Sequence, residues 1–384
     1  MIFHLRRFCA VFPAVLALFA TLPASAADVI LPGLVRTPFR LPVQIDGQAA
    51  SLEAVVIRPD SPGRFPLVVL VHGTPRGEGQ AFTEAIARTS PAEMNAAAVA
   101  FAQHSFAAVS IMRRGFGESS GPYGEDAPGR CEGRRYTAAV QRSGEDVAAA
   151  VAALREQPWA APDRVLLVGQ STGGFAVSAA AALHPPGVLG VIDFAGGRGS
   201  TGPDQVCNPE GLIETVAVLG RTTLVPAQWI YAENDHFFGP GLAHRMFTAY
   251  RDAGAQAELR MQPPFGTDGH MLVARGSPDL WWPEIEPFLA RLHLPTALLI
   301  KLPPLPSLPQ PPYQRSPTAD CREGYARYLA ARIEAKAFAY SPNGHCGWQT
   351  TARTANAAAS DAIRNCTLHD DSCVLWAIGQ HLAN

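Results

Sequence analysis

Along the first 300 residues, apolar runs rich in β-branched side chains alternate with alanine-rich stretches of helical period. The runs AVVIRP (54–59), PLVVLVHG (66–73), FAAVSIMRR (106–114), RVLLVGQ (164–170), VLGVIDFAG (188–196), PAQWIYAEN (226–234) and AELRMQP (257–263) predict strands. Most are continuously hydrophobic rather than alternating, which is the pattern of strands covered on both faces. Helices are predicted over 80–89, 91–104, 143–156, 173–184, 241–253 and 282–292. Strand, helix, strand, helix gives an α/β protein with a doubly wound, mostly parallel sheet. In such sheets chemistry gathers at the carboxyl ends of the strands.

The proline-rich stretch LPPLPSLPQPPYQRSP (302–317) breaks the pattern and reads as an extended linker over 301–318. It divides a main domain, 28–300, from a small tail, 319–384. The 384 residues are 47% hydrophobic and 17% charged, enough apolar material for a large core. A formal net charge of −2 leaves no electrostatic footprint for nucleic acid. At the start, Arg6 and Arg7 precede an apolar run from Phe8 to Leu22, and Ala24-Ser25-Ala26 follows. This is the layout of a cleavable signal peptide over 1–26, so the mature chain is expected to be secreted or periplasmic and without a membrane span.

Removing that leader takes Cys9 away and leaves Cys131, Cys207, Cys321, Cys346, Cys366 and Cys373. An even set in an exported chain reads as disulfides, with fifteen formal pairings. Two cysteines lie in the long main domain and four in the tail. That distribution gives Cys131–Cys207 and two bridges within the tail; the pairing expected there is Cys321–Cys346 and Cys366–Cys373.

Two segments match G-x-S-x-G: GQSTG around Ser171 and GESSG around Ser119. A nucleophile elbow is a sharp strand-turn-helix junction whose strained backbone lifts the serine above the sheet edge. Ser171 has VLLV before it and GFAVSAAAAL after it. Ser119 is followed by GPYGEDAPG, in which no helix starts, and so reads as a loop residue. Taken alone, Ser171 could equally be a helix N-cap. The later residues favour the catalytic reading.

A serine nucleophile needs a base, and the base needs an acid to hold its tautomer, in the chain order Ser, Asp or Glu, His. Asp235 follows the strand PAQWIYAEN, and His270 lies in a turn after the final strand. Glu233, Asp193 and Asp268 are the alternative acids. His236 adjoins Asp235, His244 falls on a helix, His184 ends the elbow helix, and His72 reads as a brace for its own loop. An oxyanion needs two aimed backbone N–H groups. Thr172, after the nucleophile, is one. Thr74, in the glycine turn His72-Gly73-Thr74, is the other.

The motifs VLVHGTP (69–75), MRRGFGESSG (112–121), GQSTGG (169–174), WIYAENDHFF (229–238) and GTDGH (266–270) stand in family order. With them the main domain resembles an α/β-hydrolase, nearest the dienelactone hydrolase-like and serine-peptidase-like bacterial branches. The resemblance implies a Ser171–His270–Asp235 triad, an acyl-enzyme intermediate, no metal and no cofactor. It also implies a cysteine nucleophile in dienelactone hydrolases proper. Serine at this elbow makes an ester or amide a better expectation than a lactone.

Two insertions, 118–142 and 197–222, are expected to overhang the site, stapled by Cys131–Cys207. Their arginines (Arg130, Arg134, Arg135, Arg198, Arg221) read as solvated surface in preference to a recognition set for an acidic group. In the tail, a helix, a strand-turn with Asn-Gly, a second helix and a short strand are expected. The tail resembles a small cysteine-containing module of exported bacterial proteins, and its expected partner is a component of the cell envelope. His345 beside Cys346 is read with the disulfides rather than as a metal ligand. The resulting expectation is an exported serine hydrolase acting on a small ester, with a short peptide as the second substrate class. The rival from another class is an inert hydrolase-derived scaffold that binds an envelope partner through its tail.

Overall fold

The computed structural model describes residues 30–383; the leader reading over 1–26 lies outside the described residues. Strands β1 (Leu34–Ile45), β2 (Gln48–Pro59), β3 (Phe65–Val71), β4 (Ala107–Ile111), β5 (Ala160–Gln170), β6 (Val188–Phe194), β9 (Ala227–Ala232) and β10 (Ala257–Gln262) form one sheet; β7 (Ser200–Gly202) and β8 (Gln205–Val206) make a separate small hairpin. The sheet order is β1-β2-β4-β3-β5-β6-β9-β10. β1 to β2 and β2 to β4 pair antiparallel, and every later pair is parallel. This is an α/β-hydrolase fold, and it places the carboxyl ends of β3, β5, β6 and β9 side by side.

The continuous apolar runs have the cause inferred from their pattern. In β3, Leu67, Val69 and Val71 enter the core on one face, while Val68 and Leu70 enter the core on the other. β5 divides in the same way, Val165 and Leu167 against Leu166 and Val168. Helices Thr137–Arg155 and Thr172–Ala181 cover one face, and Asn95–Gln103 and Trp282–Arg291 the other. At Gly144 an added Cβ would lie 2.6 Å from the Ala179 Cβ, so glycine sets how closely the first two of these helices approach.

Several elements differ from the sequence expectation. β1, with Pro38 and Pro42, was not anticipated as a strand. It lies at the sheet edge, where a missing N–H can face away from the ladder. Its hairpin to β2 turns on Asp46 and Gly47, both at positive φ, the Asp-Gly signature of a two-residue turn. Helix Thr137–Arg155 begins inside the 118–142 insertion, and helix Pro209–Gly220 lies wholly inside the 197–222 insertion. The latter carries its own start signal, Asn208 accepting from Gly211 N and Pro209 in the first turn.

Residues 301–313 have no regular structure. Leu302 and Leu305 rest on the main core, and Leu308 and Tyr313 on a C-terminal cluster around Tyr325, Tyr328 and Phe338. Beyond them, helices Ala319–Ala330 and Ala355–Thr367 accompany a four-stranded sheet in the order β12-β11-β13-β14 (Cys346–Gln349, Ala337–Tyr340, Val374–Ile378, His381–Leu382). Disulfides Cys321–Cys346 and Cys366–Cys373 close this segment. It joins the main sheet through Arg353, whose Nε and Nη2 donate to the two Glu53 carboxylate oxygens of β2 at 2.7 and 2.8 Å. Arg353→Ala leaves the buried Glu53 carboxylate short of its partner. It is expected to lower stability by about 1.5–3 kcal/mol, read by urea unfolding, and to speed proteolytic cleavage within 301–318. Among the described residues no helix is long and apolar enough to cross a membrane.

Candidate active site

Between the end of β5 at Gln170 and the helix that begins at Thr172, Ser171 alone makes the turn, at φ 58° and ψ −124°. For a residue with a Cβ, such a backbone costs ~1–3 kcal/mol and persists only where its surroundings impose it. Here Ser171 N donates to Phe194 O at 2.9 Å, and Ser171 O accepts from Gly174 N at 2.9 Å and Gly197 N at 3.2 Å. A Cβ on Gly173 would lie 2.2 Å from Val71 O, so the elbow helix seats directly on the end of β3.

Asp235 and His270 come together from segments 35 residues apart. The Asp235 Oδ1 accepts from Phe237 N at 2.7 Å and Phe238 N at 2.8 Å, leaving Oδ2 for His270 Nδ1 at 3.1 Å. Both side chains are buried. This arrangement fixes Nδ1–H on the carboxylate and leaves Nε2 as the basic nitrogen. Gln170 Nε2 donates to His270 O at 2.9 Å, tying the base to the residue before the elbow serine. The imidazole stacks on Phe237, ring centroids 3.9 Å apart, and the Arg76 guanidinium lies 3.3 Å from the Phe237 ring centroid. Among the described residues, Ser171 Oγ and His270 form no direct hydrogen bond. Such contacts commonly tighten only once substrate is in place.

Ser171, Thr172 and Thr74 line one cleft of ≈ 460 Å³. The Thr172 N–H opens the elbow helix, where no helical acceptor stands behind it and the dipole favours negative charge. The Thr74 and Thr172 hydroxyls are 2.7 Å apart, which brings the glycine turn against the elbow.

The cleft is walled by both insertions, which Cys131–Cys207 joins with Cα atoms 4.6 Å apart. Beneath the wall lies a charge cluster that sequence reasoning missed. The Glu125 carboxylate receives Arg113 on one side and Arg198 on the other, all three buried. Burial alone would raise the Glu125 pKa, but the two guanidiniums outweigh it and hold the group at about 2. Arg113 Nη2 also reaches the Thr172 and Thr74 hydroxyls at 3.2 and 3.3 Å. Of its members the sequence singles out only Arg198, because they lie 12 and 73 residues apart.

The remaining candidates occupy other roles. Ser119 Oγ accepts from Glu53 N at 2.9 Å and donates to Met112 O at 2.7 Å, a hydroxyl fully used in holding its loop. Asp268 caps the turn, its Oδ1 accepting from His270 N and His236 N. Glu233 and His244 form no hydrogen bond to His270 or Asp235 among the described residues. Burial lifts the Asp193 carboxyl well above its ordinary range, and it too makes no hydrogen bond to His270. His236 pairs with Asp204, and His184 meets Thr222 O at the end of the elbow helix. His72 is buried, its Nδ1 on Gly73 O and its Nε2 on Arg113 N; burial, followed by Arg113, keeps its pKa low and the ring neutral.

The sequence signature described as X-Pro dipeptidyl-peptidase (S15 family) matches residues 46–284. Among curated proteins no significant match is found. Solved structures similar to this chain include an esterase of Pyrococcus furiosus, at 12% identity and TM-score 0.47, covering 73% of this chain and 96% of that one. An acetyl xylan esterase from Paenibacillus sp. R4 aligns at 14% identity and TM-score 0.45, covering 68% and 84%. A puromycin-hydrolysing peptidase of Mycobacterium tuberculosis aligns at 17% identity and TM-score 0.44, covering 71% of this chain and 42% of that one.

Proposed function

The chain belongs to the X-Pro dipeptidyl-peptidase (S15) family, and from that premise we propose that it is a serine hydrolase of small carboxylic esters. Ser171 Oγ attacks the acyl carbonyl while His270 Nε2 takes its proton, and Asp235 stabilises the imidazolium that forms. The N–H groups of Thr172 and Thr74 receive the oxyanion. Collapse of the tetrahedral intermediate breaks the ester C–O bond, and His270 returns the proton to the leaving alcohol. Water then adds to the acyl-enzyme by the same base, releasing the acid and restoring Ser171.

The observation that carries this reading is Ser171 at positive φ on the strand-helix turn, with a buried His270–Asp235 pair on neighbouring strand ends. Hydrolysis of p-nitrophenyl butyrate tests it. Ser171→Ala is expected to lose at least ~10³-fold in kcat, whereas Ser119→Ala keeps its catalytic rate and loses only stability. Equal losses in the two variants would remove Ser171 from the mechanism.

A second reading, cleavage of peptides after an X-Pro dipeptide, draws on the family's description. Glycyl-prolyl-p-nitroanilide decides between them. Release of p-nitroaniline with a higher kcat/KM than short esters would make peptide cleavage the principal activity. Three disulfides support a place outside the reducing cytoplasm.

A further inference from the structure

From the cleft wall we infer that this site prefers substrates carrying a carboxylate close to the scissile bond, recognised by Arg198 together with Arg134. The inference rests on the serine-hydrolase reading for its chemistry, and on the cluster at the cleft for its specificity.

Arg198 is 6% exposed and lines the cleft, contrary to the solvated role that its loop position suggested. Its Nη1 donates to Glu125 O at 2.9 Å and its Nη2 to the Glu125 carboxylate. Its Nε–H is buried and meets no acceptor among the described residues. Arg134 lines the same cleft from the other insertion, and its Nε–H is likewise buried with no acceptor among the described residues. A buried donor left unmade is a cost that folding ordinarily avoids, and these two residues, each carrying one, both line this cleft.

Charge counting leads to the same ligand. Glu125 is ionised and shared by Arg113 and Arg198, so the buried cluster holds two guanidiniums and one carboxylate. One positive charge is left over in a water-poor wall, where a second carboxylate is worth most. The other acidic residues of the cleft, Glu78 and Asp126, are exposed at its rim and screened by solvent. Cys131–Cys207 ties the loop of Arg134 to the loop of Arg198, so the donors are held before substrate arrives.

Two arms place the carboxylate. Monoethyl succinate, glutarate and adipate carry it on the acyl side, with ethyl butyrate, valerate and hexanoate as neutral counterparts. Acetoxyacetate carries it on the leaving group, with acetoxyacetamide as counterpart. Ester cleavage is followed by pH-stat. In one arm, wild type is expected to favour the anion at least ~tenfold in kcat/KM, chiefly through KM. Arg198→Met is expected to collapse that ratio towards unity, and Arg134→Met to reduce it. Arg130→Met, an exposed arginine of the same loop, leaves the ratio as in wild type. Equal handling of anion and neutral counterpart by wild type in both arms overturns the inference.

Should wild type hydrolyse none of these esters and take no fluorophosphonate, the hydrolase reading has failed. Calorimetric titration with glutarate, against glutaramide, then decides the anion site independently. Glutarate binding that is lost in Arg198→Met sustains it. No binding to wild type refutes it.

Discussion

Asp235→Asn is expected to lower kcat by about 10³–10⁴-fold while leaving the fold intact. The Asp235 Oδ1 already accepts from Phe237 N and Phe238 N, and an asparagine carbonyl can keep both bonds. The amide NH₂ then takes the place of Oδ2 opposite His270 Nδ1. Donor facing donor drives the imidazole to the opposite tautomer, with its proton on Nε2. A ring protonated at Nε2 cannot remove the Ser171 proton. The check is kcat for p-nitrophenyl butyrate beside a urea unfolding curve. Loss of rate with an unchanged midpoint is the expected pair; a variant losing under tenfold would assign the acid to another residue.

The largest stability effect is expected at Glu125. Glu125→Gln leaves Arg113, fully buried, and Arg198, 6% exposed, without the carboxylate that both share. Breaking a buried ion pair by removing one member costs about 3–5 kcal/mol, since the remaining charge stays desolvated. The same contact makes stability depend on pH. Its folded pKa of about 2 lies below the 4.5 of an ordinary carboxyl. The contribution is therefore complete above pH 4.5 and is lost as pH falls towards 2, amounting to ~3 kcal/mol. Urea midpoints between pH 6 and 2.5 should fall less steeply for Glu125→Gln than for wild type. Parallel curves would mean that Glu125 is not held ionised by the two arginines.

The sheet was readable because burial on both faces leaves uninterrupted apolar strands, as the opposite allegiance of Val68 and Val69 illustrates. β1 was not readable by that route: among the described residues its outer edge is unpaired, so Pro38 and Pro42 are tolerated and the pattern is diluted. Asp46-Gly47 was the available clue. Helix Pro209–Gly220 lies inside an insertion between strands, where its one local signal is the helix start at Asn208-Pro209.

The elbow was legible because its chemistry is local: Ser171, its strand and its helix are contiguous. Asp235 and His270 were placed by chain order and strand ends, and in the structure they share a 3.1 Å contact. The Phe237 and Arg76 stack over His270 and the Arg113–Glu125–Arg198 cluster depend on how distant loops fold together. No spacing along the chain encodes them.

The most direct measurement is mass-spectrometric mapping of a fluorophosphonate adduct on the oxidised protein. The account predicts stoichiometric modification of Ser171, abolished in Ser171→Ala and slowed in Asp235→Asn. An active protein that carries the adduct on another residue, Ser119 included, or carries none, would contradict it.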